Sequence, residues 1–578
     1  MGKHEGEPNP RRKPADLIYG VDDPVPLPTL LILSIQHAAL LISGLVATIF
    51  IANAIGADEL QTQSLVNVGL IAGGLACILQ AVPRWGVGSG YFCLHTSSFI
   101  YFQASVLAAK AGGLPLLFGM TALAGLAEAA LSRIMPRLRI LLPPEISGLA
   151  VVNLGLAIAP YALRSMSGIG RQGGAISTPE LVTGLVTLGV IVGLNVWGKG
   201  KFRLYSILLA ILAGYITSYI AGAGTFSQPA GSMPESFVAW PRLEHPAFSL
   251  DMAFLAPFLV AALCASLKLT GDIISCQKIN DADWKRVDMH SVGRGLFADG
   301  LGTMVAGLLG GSGLASSSSN IGMSYATGAT SRFLGYSTGA TCIALAFLPR
   351  ISAAMTTMPK PIIGAIVLYA ACFMLVTGWN IIMTRMLDAR RIFVIGLSLI
   401  LGMSVESLPE LYTNVPNELK PIFSSSLALS TITAILLNLL FRIGISLKAS
   451  LELEPGRDEQ RKIYEFFENK GTEWSARKDV IQRATAAMNE LYESLSMLDL
   501  ARGPVTACLS FDEFHIDLEV SYDGDAMCFP QIQPDPETIA SDPAALAKMS
   551  GFLITRYADK IRTKAEGRRN AVFLRFVH

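Results

Sequence analysis

The stretch SSSSNIGMSYATG, residues 316–328, lies between two long apolar runs, where a membrane span is expected. It nevertheless carries four consecutive serines, an asparagine, a threonine and two glycines. A second stretch of this kind, GSGYFCLHTSSFIYF, occupies residues 88–102. Backbone unwound at such residues cannot face lipid with its N–H and C=O groups unsatisfied, so it must be buried in protein or line a cavity. Two interrupted segments at matching positions of two halves are the sequence sign of broken helices meeting at the bilayer midplane in an inverted repeat. Their half-helix N-termini would then present partial positive charge to a polar ligand. Small-residue packing faces on ordinary helices have a similar composition, and that alternative stands beside the first reading here.

The rest of the chain supplies the frame. Of its 578 residues 51% are hydrophobic and only 15% charged, with a mean hydropathy of +0.47, which marks a polytopic membrane protein. Apolar windows of spanning length fall near 29–55, 62–82, 89–106, 114–136, 143–163, 180–197, 204–222, 250–275, 291–310, 313–328, 331–350, 359–379, 389–406 and 420–445, about fourteen in all. The interrupted segments are then the third of each block of seven. Lys and Arg should gather in every second loop. They do so at Lys3 and Arg11–Lys13, at Arg133, Arg137 and Arg139, at Lys199, Lys201 and Arg203, at Lys278, Lys285 and Arg286, and at Arg385, Arg390 and Arg391. Both termini are therefore expected on the cytoplasmic side of a bacterial inner (plasma) membrane.

Composition also excludes function classes. A net charge of +1, with cations spread over loops, gives no nucleic-acid surface. Eight cysteines without CxxC or metal spacing read as packing residues. No enzyme, resident cofactor or metal is expected; a proton or sodium ion is the candidate coupling ion. The opening MGKHEGEPNPRRKP has neither the apolar core of a cleaved signal nor the Ser/Thr of a myristoylation signal.

Residues 319–328, SNIGMSYATG, resemble the signature of the nucleobase-ascorbate transporters, or xanthine/uracil permeases: Gln, Glu or Pro, then Asn, any residue, Gly, four residues, Thr, and Arg, Lys or Gly. Asn320, Gly322, Thr327 and Gly328 match; Ser319 does not. Gln36-His37 resembles the family's Gln-His pair, and Thr96-Ser97-Ser98-Phe99 its Gly-Ser/Thr-Ser-Phe stretch. Gly271-Asp272 and Arg294-Gly295…Asp299-Gly300 fit as well. The resemblance covers about residues 20–450. It implies a seven-plus-seven inverted repeat split into core and gate, substrate held between the third and tenth segments, elevator-type movement of the core with ion coupling, and a homodimer.

Two positions depart from the pattern. Where the family has a Glu four residues before the Gly-Asp aspartate, and a Gln or Glu opening the signature, this chain has Lys268 and Ser319. A carboxylate accepts from ring N–H groups, whereas an ammonium only donates and carries the opposite charge. Lys268 beside two helix N-termini suits an anion such as urate or deprotonated xanthine. Alternatively it pairs with Asp272 at i, i+4 and touches no substrate. As a charge inside a span it needs a partner, Asp272 or Asp299. The expected substrate-binding set is Phe99, Ser98, Lys268, Ser319, Asn320 and Gly322. Gln36, His37, Asp272, Asp299 and Thr327 form the coupling or structural set, with Asn320 serving substrate ordering or loop bracing equally. Glu128 is expected beside a cation or in an aqueous crevice, and His95 narrows the site.

The tail turns charged and amphipathic. Residues 457–471 and 475–498 read as helices, 503–512 and 514–524 as a strand pair, 543–564 as a helix and 569–577 as a final strand. That helix-first order, with AMNELYES, LEVSYDGD and GFLITRYADKI, resembles a degenerate histidine-kinase-like ATPase domain of anti-sigma regulators. Asn489 and Asp523 fall near that family's magnesium and adenine positions, and the glycine-rich lid is missing. The expected organisation is thus a cytoplasmic tail at 1–26, a helical transporter body at 27–446, and an α/β regulatory domain at 447–578. The expected function is ion-coupled secondary transport of a nucleobase or purine anion. An inorganic or carboxylic anion carrier of the same fold, or a receptor signalling through the tail, remains the alternative.

Overall fold

The computed structural model describes residues 12–15, 17–83, 86–133, 144–169, 176–198, 205–222, 236–243, 247–284, 287–383, 387–441, 447–455, 459–474, 476–511, 515–530, 543–566 and 569–577. Among the loop cations named above, Lys3, Arg11, Arg137, Arg139, Lys199, Lys201, Arg203, Lys285, Arg286 and Arg385 lie outside the described residues. The chain divides into two compact units, Met1–Trp379 with Leu397–Ile435, and Asn380–Gly396 with Leu436–His578.

The membrane-type region runs α1 (Leu27–Gly44), α2 (Val46–Ile55), α3 (Glu59–Ala81), β1 (His95–Ser97), α4 (Phe102–Leu131), α5 (Pro144–Ser167), α6 (Thr178–Val196), α7 (Ser206–Ala221), α8 (Leu255–Asn280) and α9 (Met289–Leu308). It continues through β2 (Leu314–Ser316), α10 (Ser318–Ala326), α11 (Arg332–Ala346), α12 (Pro349–Thr356), α13 (Lys360–Ile382), α14 (Ala389–Ser407), α15 (Lys420–Phe423) and α16 (Ser426–Leu440). Among the described residues six helices are long and apolar enough to cross a membrane, and α11 with α12, bent by 77°, makes a seventh. The first apolar window is two helices, and the third and fourth are one, α4, kinked where Gly113 takes φ 72°. That left-handed backbone is open to glycine at little cost.

Close helix crossings depend on small residues, because apolar lipid leaves packing, not hydrophobicity, to hold helices together. A Cβ on Gly74 of α3 would lie 2.6 Å from the Gly339 carbonyl oxygen of α11, and one on Gly300 of α9 would lie 2.7 Å from that of Gly125 on α4. These contacts lock α3 to α11 and α4 to α9, and α3, α8 and α9 pack against β1 and β2. The two short strands pair antiparallel, His95 opposite Ser316 and Ser97 opposite Leu314. Backbone bonds from Ser98 N to Gly313 O and from Ser317 N to Leu94 O extend the ribbon symmetrically. Each strand runs straight into a helix start, so antiparallel pairing sends the two helices away in opposite directions.

The second unit contains a five-stranded antiparallel sheet ordered β3-β4-β5-β7-β6. Its strands are β3 (Leu447–Leu453), β4 (Val505–Phe511), β5 (His515–Asp523), β6 (Lys560–Glu566) and β7 (Arg569–Val577). The helices are α17 (Gln460–Glu473), α18 (Lys478–Met497) and α19 (Pro543–Tyr557). One sheet face forms a core with Phe467, Trp474, Met488 and Leu491; the other is a groove lined by Lys448, Cys508, Asp517, Glu519, Arg562 and Phe573. Two expectations are corrected here. The domain opens with a strand, not a helix, because LKASLEL alternates Leu451 and Leu453 inward with Ser450 and Glu452 outward. The helix expected to run to residue 564 stops at Tyr557, and KIRTKAE pairs along β7 as an edge strand whose charges face out.

Candidate substrate-binding site

Lys268 projects from α8 toward the start of α10. Its Nζ donates to the Ser316 carbonyl at 2.5 Å, to Asp272 Oδ2 at 2.9 Å and to Ser318 Oγ at 3.2 Å. Ser316 and Ser318 hydroxyls donate to the two Asp272 oxygens at 2.5 and 2.7 Å. The i, i+4 pair is therefore real, and Asp272, not Asp299, is the partner. It is not sealed away, since the Lys268 side chain keeps 30% of its exposure. Ser318, Ser319, Gly322 and Gly271 are exposed around it, and a Cβ on Gly271 or Gly322 would meet nothing within 4 Å. The first N–H groups of α10, which no side chain caps, add partial positive charge at this face. The result is an open polar surface with donors (ammonium, hydroxyls, N–H groups) and a carboxylate acceptor side by side.

The signature residues build this surface from behind. Asn320 is buried, its side chain bonded to the His37 ring and to the His37 carbonyl. His37 also meets Phe92 edge-on at 4.7 Å, and Gln36 Nε2 reaches Met323 Sδ at 3.5 Å. Of the two roles expected for Asn320, substrate ordering and loop bracing, the geometry shows a brace between α1 and α10, with the Gln-His pair as its other half. Thr327 Oγ1 donates to the Met323 and Ser324 carbonyls at the end of α10. Gly328 takes φ 66° and its carbonyl accepts from Ile18 and Tyr19 of the N-terminal strap. On the other strand, the Ser98 hydroxyl accepts from Ile100 N and caps the turn leading into α4. Phe99 is half-buried, 6.0 Å from Phe50.

Asp299 stands apart from Lys268. It is fully buried with its Oδ1 3.2 Å from His95 Nε2, beside Glu128. Glu128 is likewise fully buried; its partners are Ser266 and Asp299, so the expected cation or aqueous crevice is corrected. Sequence reasoning also missed Gln103 of α4. It donates to Glu406 at 3.2 Å and Ser426 Oγ at 2.7 Å, and accepts from Ser425 Oγ and Leu427 N. Among the described residues no His, Cys, Asp and Glu cluster is arranged to hold a metal ion.

Paired broken segments, an open polar surface where they cross and a surrounding set of apolar helices define a membrane transporter, whose work is binding and moving a solute, not bond chemistry. The chain belongs to the permease family designated Xan_ur_permease, which residues 28–411 match. It is 28% identical over 455 residues to a putative purine permease of Clostridium perfringens, covering 78% of this chain and 99% of that one. It is 27% identical over 456 residues to the xanthine permease XanP of Escherichia coli, covering 76% and 98%. A nucleobase transporter of Paenibacillus larvae is 24% identical over 424 residues, covering 72% and 95%. Among solved structures, the transmembrane domain of the cyanobacterial bicarbonate transporter BicA aligns with 70% of this chain and 96% of its own, at 14% identity and a TM-score of 0.46.

Proposed function

We propose that this permease carries an oxopurine of the xanthine or urate type, with the β1–β2 crossing as its binding site. The observation that carries the reading is the Lys268–Asp272–Ser316–Ser318 cluster at the start of α10. A purine edge presents an oxygen next to a ring N–H. Lys268 and the α10 N–H groups suit the oxygen, above all when the base is an anion, and Asp272 suits the N–H. Phe99, in the turn after β1, offers its ring for stacking. The names of the relatives, purine permease and xanthine permease, support the same substrate class.

In this reading transport is secondary and ion-coupled, with core helices moving against the gate. The basic loops support cytoplasmic termini in a bacterial inner membrane, the transporter body ends near residue 446, and the tail serves as a regulatory module. The family resemblance supports a homodimer. Uptake into proteoliposomes of labelled xanthine, urate, uracil and bicarbonate tests the assignment. Saturable xanthine or urate uptake is expected; saturable bicarbonate uptake without any purine flux overturns it, as does tight purine binding without flux.

A further inference from the structure

Behind the ribbon from Lys268 lies a second polar cluster that the binding surface does not use. Glu128 of α4, Asp299 of α9 and His95 of β1 are each fully buried. His95 Nδ1 faces the Cys93 carbonyl at 3.1 Å. A carbonyl only accepts, so Nδ1 holds a proton. Nε2 then faces Asp299 Oδ1 at 3.2 Å, and that contact needs a second proton, on one atom or the other. Glu128 lies against Asp299, and two carboxyl groups in contact need a proton between them. Among the described residues, His95 Nε2, both Asp299 oxygens and Glu128 Oε2 make no hydrogen bond to a conventional donor or acceptor outside the cluster and its Tyr101 neighbour, so protons shared within the cluster would satisfy them. With two such protons the triad is neutral; with one it carries a buried negative charge, which is costly.

The surroundings complete the accounting. Ser266 of α8 donates to Glu128 Oε1 at 2.8 Å. Tyr101, on the turn after β1, faces Glu128 and Asp299, with Cys264 of α8 nearby. Thr303 of α9 lies beside Tyr101, and α3 contributes Gly73, pressed on the His95 carbonyl. Lys268 also sits on α8, but its ammonium is turned to Ser316 and Asp272. The α4–α9 crossing is close here: a Cβ on Gly300 would lie 2.7 Å from the Gly125 carbonyl oxygen.

We propose that Glu128, Asp299 and His95 are the proton-carrying site of this transporter. One proton is taken from water on the side where substrate loads and returned to water on the other side with each cycle, leaving the second shared proton in place. The link to substrate is one residue pair long: His95 is opposite Ser316, and Ser316 holds Lys268 and Asp272 through its carbonyl and hydroxyl. Losing the shared proton sets the carboxyl groups apart, displaces His95 and so displaces Ser316. This rests on the transport reading above, and the test separates the two.

The test uses the full chain and the near-isosteric variants Glu128→Gln and Asp299→Asn. Infrared difference spectroscopy of purified protein, with pH as the perturbation, reads the carbonyl stretch of protonated carboxylic acid and needs no transport. The expected result is a pH-dependent acid band in the parent that either variant weakens or shifts and the double variant removes. In proteoliposomes Glu128→Gln should exchange labelled for unlabelled xanthine across the membrane yet no longer accumulate it in response to a pH gradient. Absence of the band, undiminished pH-driven accumulation by Glu128→Gln, or accumulation that follows a sodium gradient and ignores pH overturns the proposal. A parent without purine flux overturns the substrate reading, and the infrared band then decides the triad by itself.

Discussion

Replacing Lys268 by Gln keeps length and donor capacity but removes the charge. If Lys268 faces an anionic purine oxygen, the loss is that of a charge-assisted hydrogen bond, about 1.5–3 kcal/mol. Because the side chain keeps 30% exposure, the lower end applies, about 1.5 kcal/mol or about tenfold in affinity. The substitution also strips Asp272 of its cation, leaving a carboxylate held by the Ser316 and Ser318 hydroxyls. That repels an anion further and confuses the reading. Lys268→Gln, Asp272→Asn and the double variant therefore form a cycle that separates direct contact from pairing. Competition binding with urate and uracil is the assay. Urate should weaken about tenfold in Lys268→Gln, uracil much less, and Asp272→Asn should not restore urate. Equal loss of charged and neutral bases, or full recovery in the double variant, would refute a direct contact and leave Lys268 as a structural partner of Asp272.

Other consequences can be measured separately. Asn320→Ala leaves the buried His37 ring without its partner, which costs about 1–3 kcal/mol, and should lower the melting temperature in detergent more than it alters specificity. Gln103→Leu removes four hydrogen bonds to Glu406, Ser425, Ser426 and Leu427; it should shift the balance of transport states, seen as changed accessibility of a reporter cysteine. Trp474 is buried and stacked on Phe511, so Trp474→Ala should destabilise the tail domain by about 3–5 kcal/mol, read by proteolysis. In the N-terminal strap, the Lys13 ammonium and the Gly20 N–H hold the Asp23 carboxyl below its usual range. A depressed folded value gives stability that is present above the unfolded value, about 3.9, and lost as pH falls through the folded one. The protection factors of the Ile18 and Tyr19 amides, with the intrinsic pH dependence of exchange divided out, should therefore hold from neutral pH down to that range and fall only below it.

The broken segments were legible because polar and glycine-rich residues in a spanning position have few physical excuses. Asn320, Thr327 and Gly328 were legible as a motif but not as a mechanism: that they brace and turn α10 depends on partners at His37 and Tyr19, far away in sequence, while Thr327 caps onto Met323 one helical turn back. Lys268 could be paired with Asp272 by helix spacing alone. The Glu128–Asp299–His95 cluster could not, since three separate elements bring it together and a lone Glu in a span suggests a cation first. Gln103 gave no local signal at all. In the tail, β3 is hard to see because its alternation covers only seven residues directly after the last apolar segment, and β6 because a preceding amphipathic helical pattern extends through KIRTKAE.

The central claim is that purine occupies the face formed by Lys268 and the start of α10. Substrate protection of Ser319→Cys tests it most directly, with exposed Cys372, Cys508 and Cys528 replaced by serine. A membrane-permeant maleimide should label Ser319→Cys readily, and saturating xanthine or urate should slow that labelling while bicarbonate leaves it unchanged. Labelling that ignores a purine the same protein is transporting would contradict the account.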